Sequence, residues 1–139
     1  MFENVNIYSS VAVYVQIENL VLFAIASGEL KPGDQLPTVH EVASRLDINP
    51  NTVTKAYRDL VVMGYVFTRR GMGVFIEKDI EAKCIKAVRQ RIISRVHEVV
   101  AEARAAGFTA AAIKDIASKS YACDAGPYGK TPQALQALA

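Results

Sequence analysis

The chain has 139 residues, 51% of them hydrophobic and 22% charged, with a net charge of +2. That length supports one modest core with an appendage, not two independent domains, and the small charge excludes a basic surface spread over the whole chain, so any polyanion-binding face must come from where the cations sit. The longest apolar run, around Leu20 to Ala26, falls short of the ~20 residues that cross a bilayer, so no membrane partner is expected.

In chain order, Val13 to Ser27 places Val13, Ile17, Leu20, Val21 and Ala24 on one helical stripe, and Gly28 stands where the helix should stop. Tyr14, Leu22 and Phe23 make the other side more apolar than a solvent face requires, so part of it is expected to pack on a later segment or a partner chain. Pro32-Gly33 marks a turn. Thr38 and Glu41 then have capping-box spacing, in which each side chain satisfies a free N–H of the first helical turn. This predicts a helix from Val39 to about Leu46 that buries Val42, Ala43 and Leu46. The next start is Asn49-Pro50: Asn accepts from the first-turn N–H groups, and Pro at the first helical position has no N–H to leave unpaired. That helix should run to about Met63 and end at Gly64, burying Val53, Ala56, Tyr57 and Leu60 while Asn51, Thr54, Lys55, Arg58 and Val62 face outward.

Only Asp47 and Ile48 separate the two helices, the short connection of a helix-turn-helix. In that motif the first helix braces the second, whose exposed N-terminal residues enter the major groove, where Asn, Thr, Lys and Arg can bond base edges or phosphates. From Tyr65 to Glu77 the sequence YVFTRRGMGVFIE alternates on both sides of Gly71-Met72-Gly73, the pattern of a β-hairpin whose glycines permit positive φ. Arg69 and Arg70 open its tip. Two arginines can simply solvate an edge strand, but beside a recognition helix a cationic hairpin suits a phosphate backbone or the narrow minor groove.

Residues from about Ser10 to Glu77 resemble the winged-helix DNA-binding domain of the GntR family of bacterial transcriptional regulators. The words that carry the resemblance are Tyr14-Val15-Gln16-Ile17, the run from Ile25 to Thr38 (IASGELKPGDQLPT), Asn49-Pro50-Asn51-Thr52-Val53, and the run from Arg69 to Phe75 (RRGMGVF). The Asn-Pro-Asn-Thr-Val wording and the short remaining tail resemble the YtrA-type branch, which implies a small dimeric repressor of double-stranded DNA. The aminotransferase-fused branch begins similarly, but too few residues follow to hold that enzyme. The resemblance further implies that Thr38 and Thr52 bond phosphates, that Asn51, Lys55 and Arg58 lie on or beside the groove-facing surface, and that Arg70 and Gly71 form the wing tip; His40, Asn49 and Arg69 complete the DNA-binding residues expected. His40 departs from the pattern: the family commonly has Arg there, and the shorter side chain without Arg's permanent charge either makes a weaker or differently placed contact or is an ordinary helix-surface residue.

Beyond Asp79, Ile80 to Ala105 reads as a long helix with Cys84, Val88, Ile92, Val96, Val99 and Ala103 along one side and Ile85, Ile93 and Val100 widening the band. Thr109 then caps a shorter helix through Ala117, with Ile113 and Ile116 as its apolar teeth. Two helices cannot bury such a band alone. The expectation is pairing with the same helices of a second subunit through Ile85, Val88, Ile92, Val96 and Val99, with some packing on the first helix. Tyr121 to Ala139, containing Gly126-Pro127 and Gly129, reads as a loose or docking tail.

Little points to chemistry. Cys84 and Cys123 lie far apart and, with no secretory start, suggest a reduced, cytoplasmic chain. Cys84 and His97 read as packing residues, Glu98 and Glu102 as a helix-surface pair, and Gly71-Met72-Gly73 lies between strands, not before a helix where it could cradle phosphate. No nucleophile and base pair is visible, so the expectation is no enzyme, no metal and no cofactor. Few polar groups converge beyond Asp79, and no small-molecule cavity of ~300 Å³ or more is expected within one subunit.

The fold expected is α+β and mostly helical: a winged helix-turn-helix domain over residues 1–78, a short two-helix dimerisation segment over 79–120, and a tail over 121–139. The function expected is a homodimeric repressor that binds an inverted-repeat operator through recognition helix 50–63 and wing 69–73. Two alternatives stand beside it, a regulator with an effector pocket in its C-terminal helices and a winged-helix module that meets a protein partner.

Overall fold

The computed structural model describes residues 5–123. Its elements in order are α1 (Val13–Ala26), α2 (Val39–Leu46), α3 (Pro50–Val62), β1 (Val66–Arg69), β2 (Gly73–Ile76), α4 (Glu81–Ala105) and α5 (Ala110–Ala122). Among the described residues, no helix is long and apolar enough to cross a membrane.

α1 is the central post. It packs against α3 and against α4, so Ile17, Val21, Leu22 and Ile25 are all fully buried although they do not share one stripe. Leu22 lies on the side left over by the amphipathic pattern, and its burial reflects this packing on two sides. Gly28 ends the helix at φ +77, and the Leu30 N–H closes back on the Ala24 carbonyl at 2.9 Å.

α2 and α3 begin where their caps predict. The Thr38 hydroxyl accepts from the Glu41 N–H at 3.2 Å while Glu41 Oε2 accepts from the Thr38 N–H at 2.7 Å. Those Thr38 donors hold the Glu41 carboxyl below its ordinary pKa. Asn49 Oδ1 accepts from the Asn51 N–H at 2.8 Å, with Pro50 at the first helical position. Between the helices Asp47 adopts a left-handed conformation at φ 52, and the Ile48 N–H bonds to the Ala43 carbonyl at 3.1 Å. Val53, Ala56, Tyr57 and Leu60 form the buried face of α3.

The hairpin pairs Val66 with Ile76 and Arg69 with Gly73, leaving Arg70, Gly71 and Met72 as its turn. The segment before α2 does more than turn. Gly33 N–H donates to Ile76, Ile76 N–H to Asp34 and Leu36 N–H to Val74, all at 2.8–2.9 Å, so residues 33–36 line the outer edge of β2 as a short third strip.

α4 completes the core and then departs from it. Ile80, Cys84 and Val88 belong to the same buried cluster as α1 and α3, with Ile85 half-buried against it. The buried cluster therefore continues past residue 78. Burial pushes the Cys84 thiol up to about 11. Past Val88 the apolar side chains of α4 reach water: Ile92, Ile93, Val96, Val99 and Val100 are exposed. His97 is exposed as well, contrary to its reading as a packing residue, because this part of α4 has left α1. α5 folds back beside α4 after Gly107, and Thr109 Oγ1 accepts from the Ala112 N–H at 3.2 Å. α5 extends to Ala122 rather than stopping at Ala117; no breaker intervenes, and an Asp115–Lys119 pair at 2.8 Å spans the added turn. Tyr121 and Ala122 thus belong to α5, and residues 124–139 of the expected tail lie outside the described residues.

The expectation of no sizeable cavity fails. An open, almost wholly apolar groove of about 550 Å³ lies between α4 and α5, lined by Val96, Val99, Phe108, Ile113 and Ile116 among others. A second groove of about 600 Å³ lies between α1, α3 and α4. Apolar periodicity marks faces of single helices, whereas these spaces arise where packed helices diverge.

Candidate nucleic-acid interface

The recognition surface starts with the cap. Asn49 turns its side chain inward to satisfy α3's own first turn, so the next residues present the first free polar groups. Asn51, Thr54, Lys55 and Arg58 are exposed, and Thr52 is half-buried. The side chains of Asn51 and Arg58, and that of exposed His40 on α2, have no hydrogen-bond or ion-pair partner among the described residues. Lys55 differs. Its Nζ lies 3.0 Å from Asp59 Oδ2 and 4.3 Å from the centre of the Tyr14 ring, and the Asp59 hydrogen bond leads the causes that raise its pKa. It is a steered cation rather than a free one. Thr54 is also occupied, its hydroxyl donating to the Pro50 carbonyl at 3.0 Å.

On the wing the two neighbouring arginines separate. The Phe67 and Phe75 rings stack with centroids 5.8 Å apart, and the Arg69 guanidinium lies 5.4 and 5.3 Å from them. Arg69 is held on that aromatic face. Arg70 begins the turn, is exposed, and has no partner among the described residues. Gly71 follows at φ +74, which favours glycine.

One segment aligns these parts. The Gln35 side-chain amide donates to the Met72 carbonyl at 2.7 Å, and a Cβ on Gly73 would come within 2.7 Å of that amide nitrogen. Two residues on, the Pro37 carbonyl accepts from the Tyr57 hydroxyl at 2.8 Å, and burial raises the phenol's pKa well above its ordinary value. Thr38 then caps α2. Residues 33–38 therefore connect the wing, the bracing helix and the recognition helix. Neither Gln35 nor the Tyr57 hydroxyl emerges from sequence reasoning, since their partners lie 37 and 20 positions away.

Other positioning contacts hold α4 to this unit. Lys83 Nζ donates to the Met63 carbonyl at 2.6 Å, placing a cation at the C-terminus of α3. Arg91 reaches buried Glu18 at 3.2 Å and Asn19 at 2.8 Å on α1. Burial raises the Glu18 pKa, with Arg91 opposing it. No group of His, Cys, Asp or Glu among the described residues could hold a metal ion.

A braced helix that presents Asn51 and Arg58 without partners, followed directly by a two-stranded wing with a cationic turn, defines a winged helix-turn-helix protein. The family described as bacterial regulatory proteins, gntR family, matches residues 13–76, from the start of α1 to the end of β2. The uncharacterized HTH-type transcriptional regulator YhcF of Bacillus subtilis (strain 168) is 36% identical over 90 residues, covering 65% of this chain and 73% of that protein. The HTH-type transcriptional repressor YtrA of the same organism is 34% identical over 99 residues, covering 71% of this chain and 76% of that one. Among solved structures, YtrA from Sulfolobus acidocaldarius, a GntR-family transcription factor, superposes with a TM-score of 0.54 at 31% identity, over 68% of this chain and 99% of its own. A transcriptional regulator from Oenococcus oeni gives 0.56 at 32% identity, over 84% and 96%. The chain belongs to the gntR family of bacterial regulatory proteins, in its YtrA-type branch, and is a DNA-binding transcriptional regulator.

Proposed function

We propose that the protein is a homodimeric repressor that binds an inverted-repeat operator. The observation that carries this reading is the set of unpartnered polar side chains on α3 and α2, with Arg70 presented from the wing. Asn51 and Arg58 read base edges, and Lys55, held on Asp59 and Tyr14, borders them. Arg70 and the Gly71 turn meet the phosphate backbone or the minor groove, while Arg69 supports them from the ring pair. Thr52 and His40 border the phosphates. Thr38 serves first as a cap: its hydroxyl already donates to Glu41 Oε2 at 2.9 Å, so a phosphate would compete with Glu41 for that proton. Asn49 acts through the first turn of α3 rather than on DNA.

The dimer reading rests on the far half of α4 together with α5, where exposed Ile92, Val96, Val99, Phe108 and Ile116 make an apolar surface too large for water. Val88 leaves the interface inferred from the sequence because it is buried in its own subunit, and half-buried Ile85 packs beside it. The partner-facing surface begins at Ile92. A second copy of α4 and α5 in the apolar groove gives a two-fold arrangement suited to two operator half-sites.

Fluorescence anisotropy with fragments of the source genome tests the reading. Affinity should fall steeply as salt rises from ~50 to ~200 mM, because phosphate contacts release counterions. Salt-independent or absent DNA binding would instead favour a protein-interaction role for α3.

A further inference from the structure

We propose that Met72 is a specificity-determining residue of the wing: its side chain lies on the floor of the DNA minor groove and selects A·T over G·C there, because a thioether cannot satisfy the guanine amine. This role rests on the DNA-binding reading and places the wing tip in the minor groove rather than along the backbone alone.

The turn offers DNA two side chains and little else. Gly71 has none, and both backbone polar groups of Met72 are already used: its N–H donates to the Arg69 carbonyl at 3.0 Å, and its carbonyl accepts from the Gln35 amide at 2.7 Å. What remains is the Arg70 guanidinium, exposed and without a partner among the described residues, and the Met72 side chain, 59% exposed. A lone exposed methionine is ordinary on a protein surface. This one differs because the tip that carries it is pinned. Gln35 holds it from the neighbouring strip, and Gly73, at φ +122 and without a Cβ, lets that amide approach. A two-stranded hairpin is too broad for a minor groove about 6 Å wide, so only side chains of its turn can enter. A cation beside a fixed apolar side chain suits that groove: its negative potential draws Arg70, and Met72 rests against sugars and base edges.

The chemistry of the groove floor then sets the preference. A·T and T·A show acceptors alone in the minor groove, whereas G·C adds the N2 amine of guanine as a donor. A methionine laid over G·C strips water from that amine and returns only a weak sulfur acceptor. Over A·T there is no amine to leave unpaired.

Fluorescence anisotropy tests this with a duplex that the full chain selects from a random-sequence pool. Each adenine is replaced singly by 2,6-diaminopurine, which adds the amine to the minor groove and leaves the major-groove pattern of the pair in place. At least one replacement should weaken wild-type binding by about fivefold or more, the low end of the cost of an unsatisfied donor. Met72→Gln supplies a carbonyl acceptor and should shrink that penalty to within about twofold. Arg70→Ala should lower affinity for the parent and substituted duplexes alike and keep the penalty. No penalty at any adenine, a penalty that Met72→Gln leaves intact, or one that Arg70→Ala removes would overturn the proposal while the DNA-binding reading stands. Failure to bind any duplex would remove both.

Discussion

The head of the molecule, from α1 through the first two turns of α4, and the stalk, formed by the rest of α4 with α5, use the same helical rhythm of apolar residues with opposite results. In the head Ile17, Val21, Val53 and Leu60 are fully buried. In the stalk Val96 and Val99 are 53% and 59% exposed. Periodicity specifies which face of a helix is apolar but not what covers it. The head supplies its own cover, because α1 lies between α3 and α4 and the 33–36 strip seals the wing. The stalk has only α5, and two helices leave an open groove where a third and fourth would sit.

The largest effect is expected from charges placed on the stalk. Replacing Ile92 and Val96 together by Asp should leave a folded monomer by sedimentation and melting, since neither side chain is in the buried core. Operator affinity should then drop by ~10²–10⁴-fold as bivalent engagement is lost. A wild-type chain that sediments as a monomer at micromolar concentration would sink the dimer reading.

Truncating one apolar side chain in each region sharpens the contrast. Leu60→Ala should cost ~2–5 kcal/mol in denaturant unfolding, because it empties space in a closed core. Val99→Ala in the monomeric background should stay within ~0.5 kcal/mol, as an exposed side chain leaves no cavity. Similar losses at both positions would mean that the stalk is covered within one subunit.

A smaller pair of effects divides the proposed DNA-facing surface. Asn51→Ala should lower discrimination at one operator position by ~1–3 kcal/mol. Arg70→Ala should weaken most sequences alike and flatten the salt slope by about one unit. Equal, sequence-independent losses would move base reading from Asn51 to Arg58, Lys55, His40 or DNA shape.

The smallest concerns the joint between head and stalk. Glu18's raised pKa means that the fold binds its proton more tightly than the unfolded chain does, so its ionisation lowers stability as pH rises from the ordinary carboxyl value through the raised one. Arg91 opposes that rise. Arg91→Gln should therefore cost ~1–3 kcal/mol at pH 7 and less near pH 4, where protonation relieves the unpaired carboxylate. Denaturant melts showing equal losses at both pH values would remove Glu18 from the joint.

Legibility followed the sequence distance of each cause. The Thr38–Glu41 capping box, the Asn49-Pro50 start and the phase that exposes Asn51 and Arg58 while burying Val53 and Leu60 are written within a turn or two of chain. The wing is legible for the same reason, since its strands alternate around glycines that allow the turn. Arg69 and Arg70 are adjacent in sequence yet separate in space, because one rests on a ring pair built across two strands. Which residues would be helix, hairpin and polar face was thus determined by local sequence.

Tertiary structure decided which surfaces were covered. Gln35 meets Met72, Tyr57 meets Pro37 and Arg91 meets Glu18 only after distant segments pack, and no local pattern names those partners. The sharpest case is one stripe on α4. Val88 and Ile92 stand a single helical turn apart with the same apolar character, yet Val88 is buried and Ile92 is exposed. The difference is where α4 parts from α1, a boundary set by the length and angle of packed helices rather than by either residue.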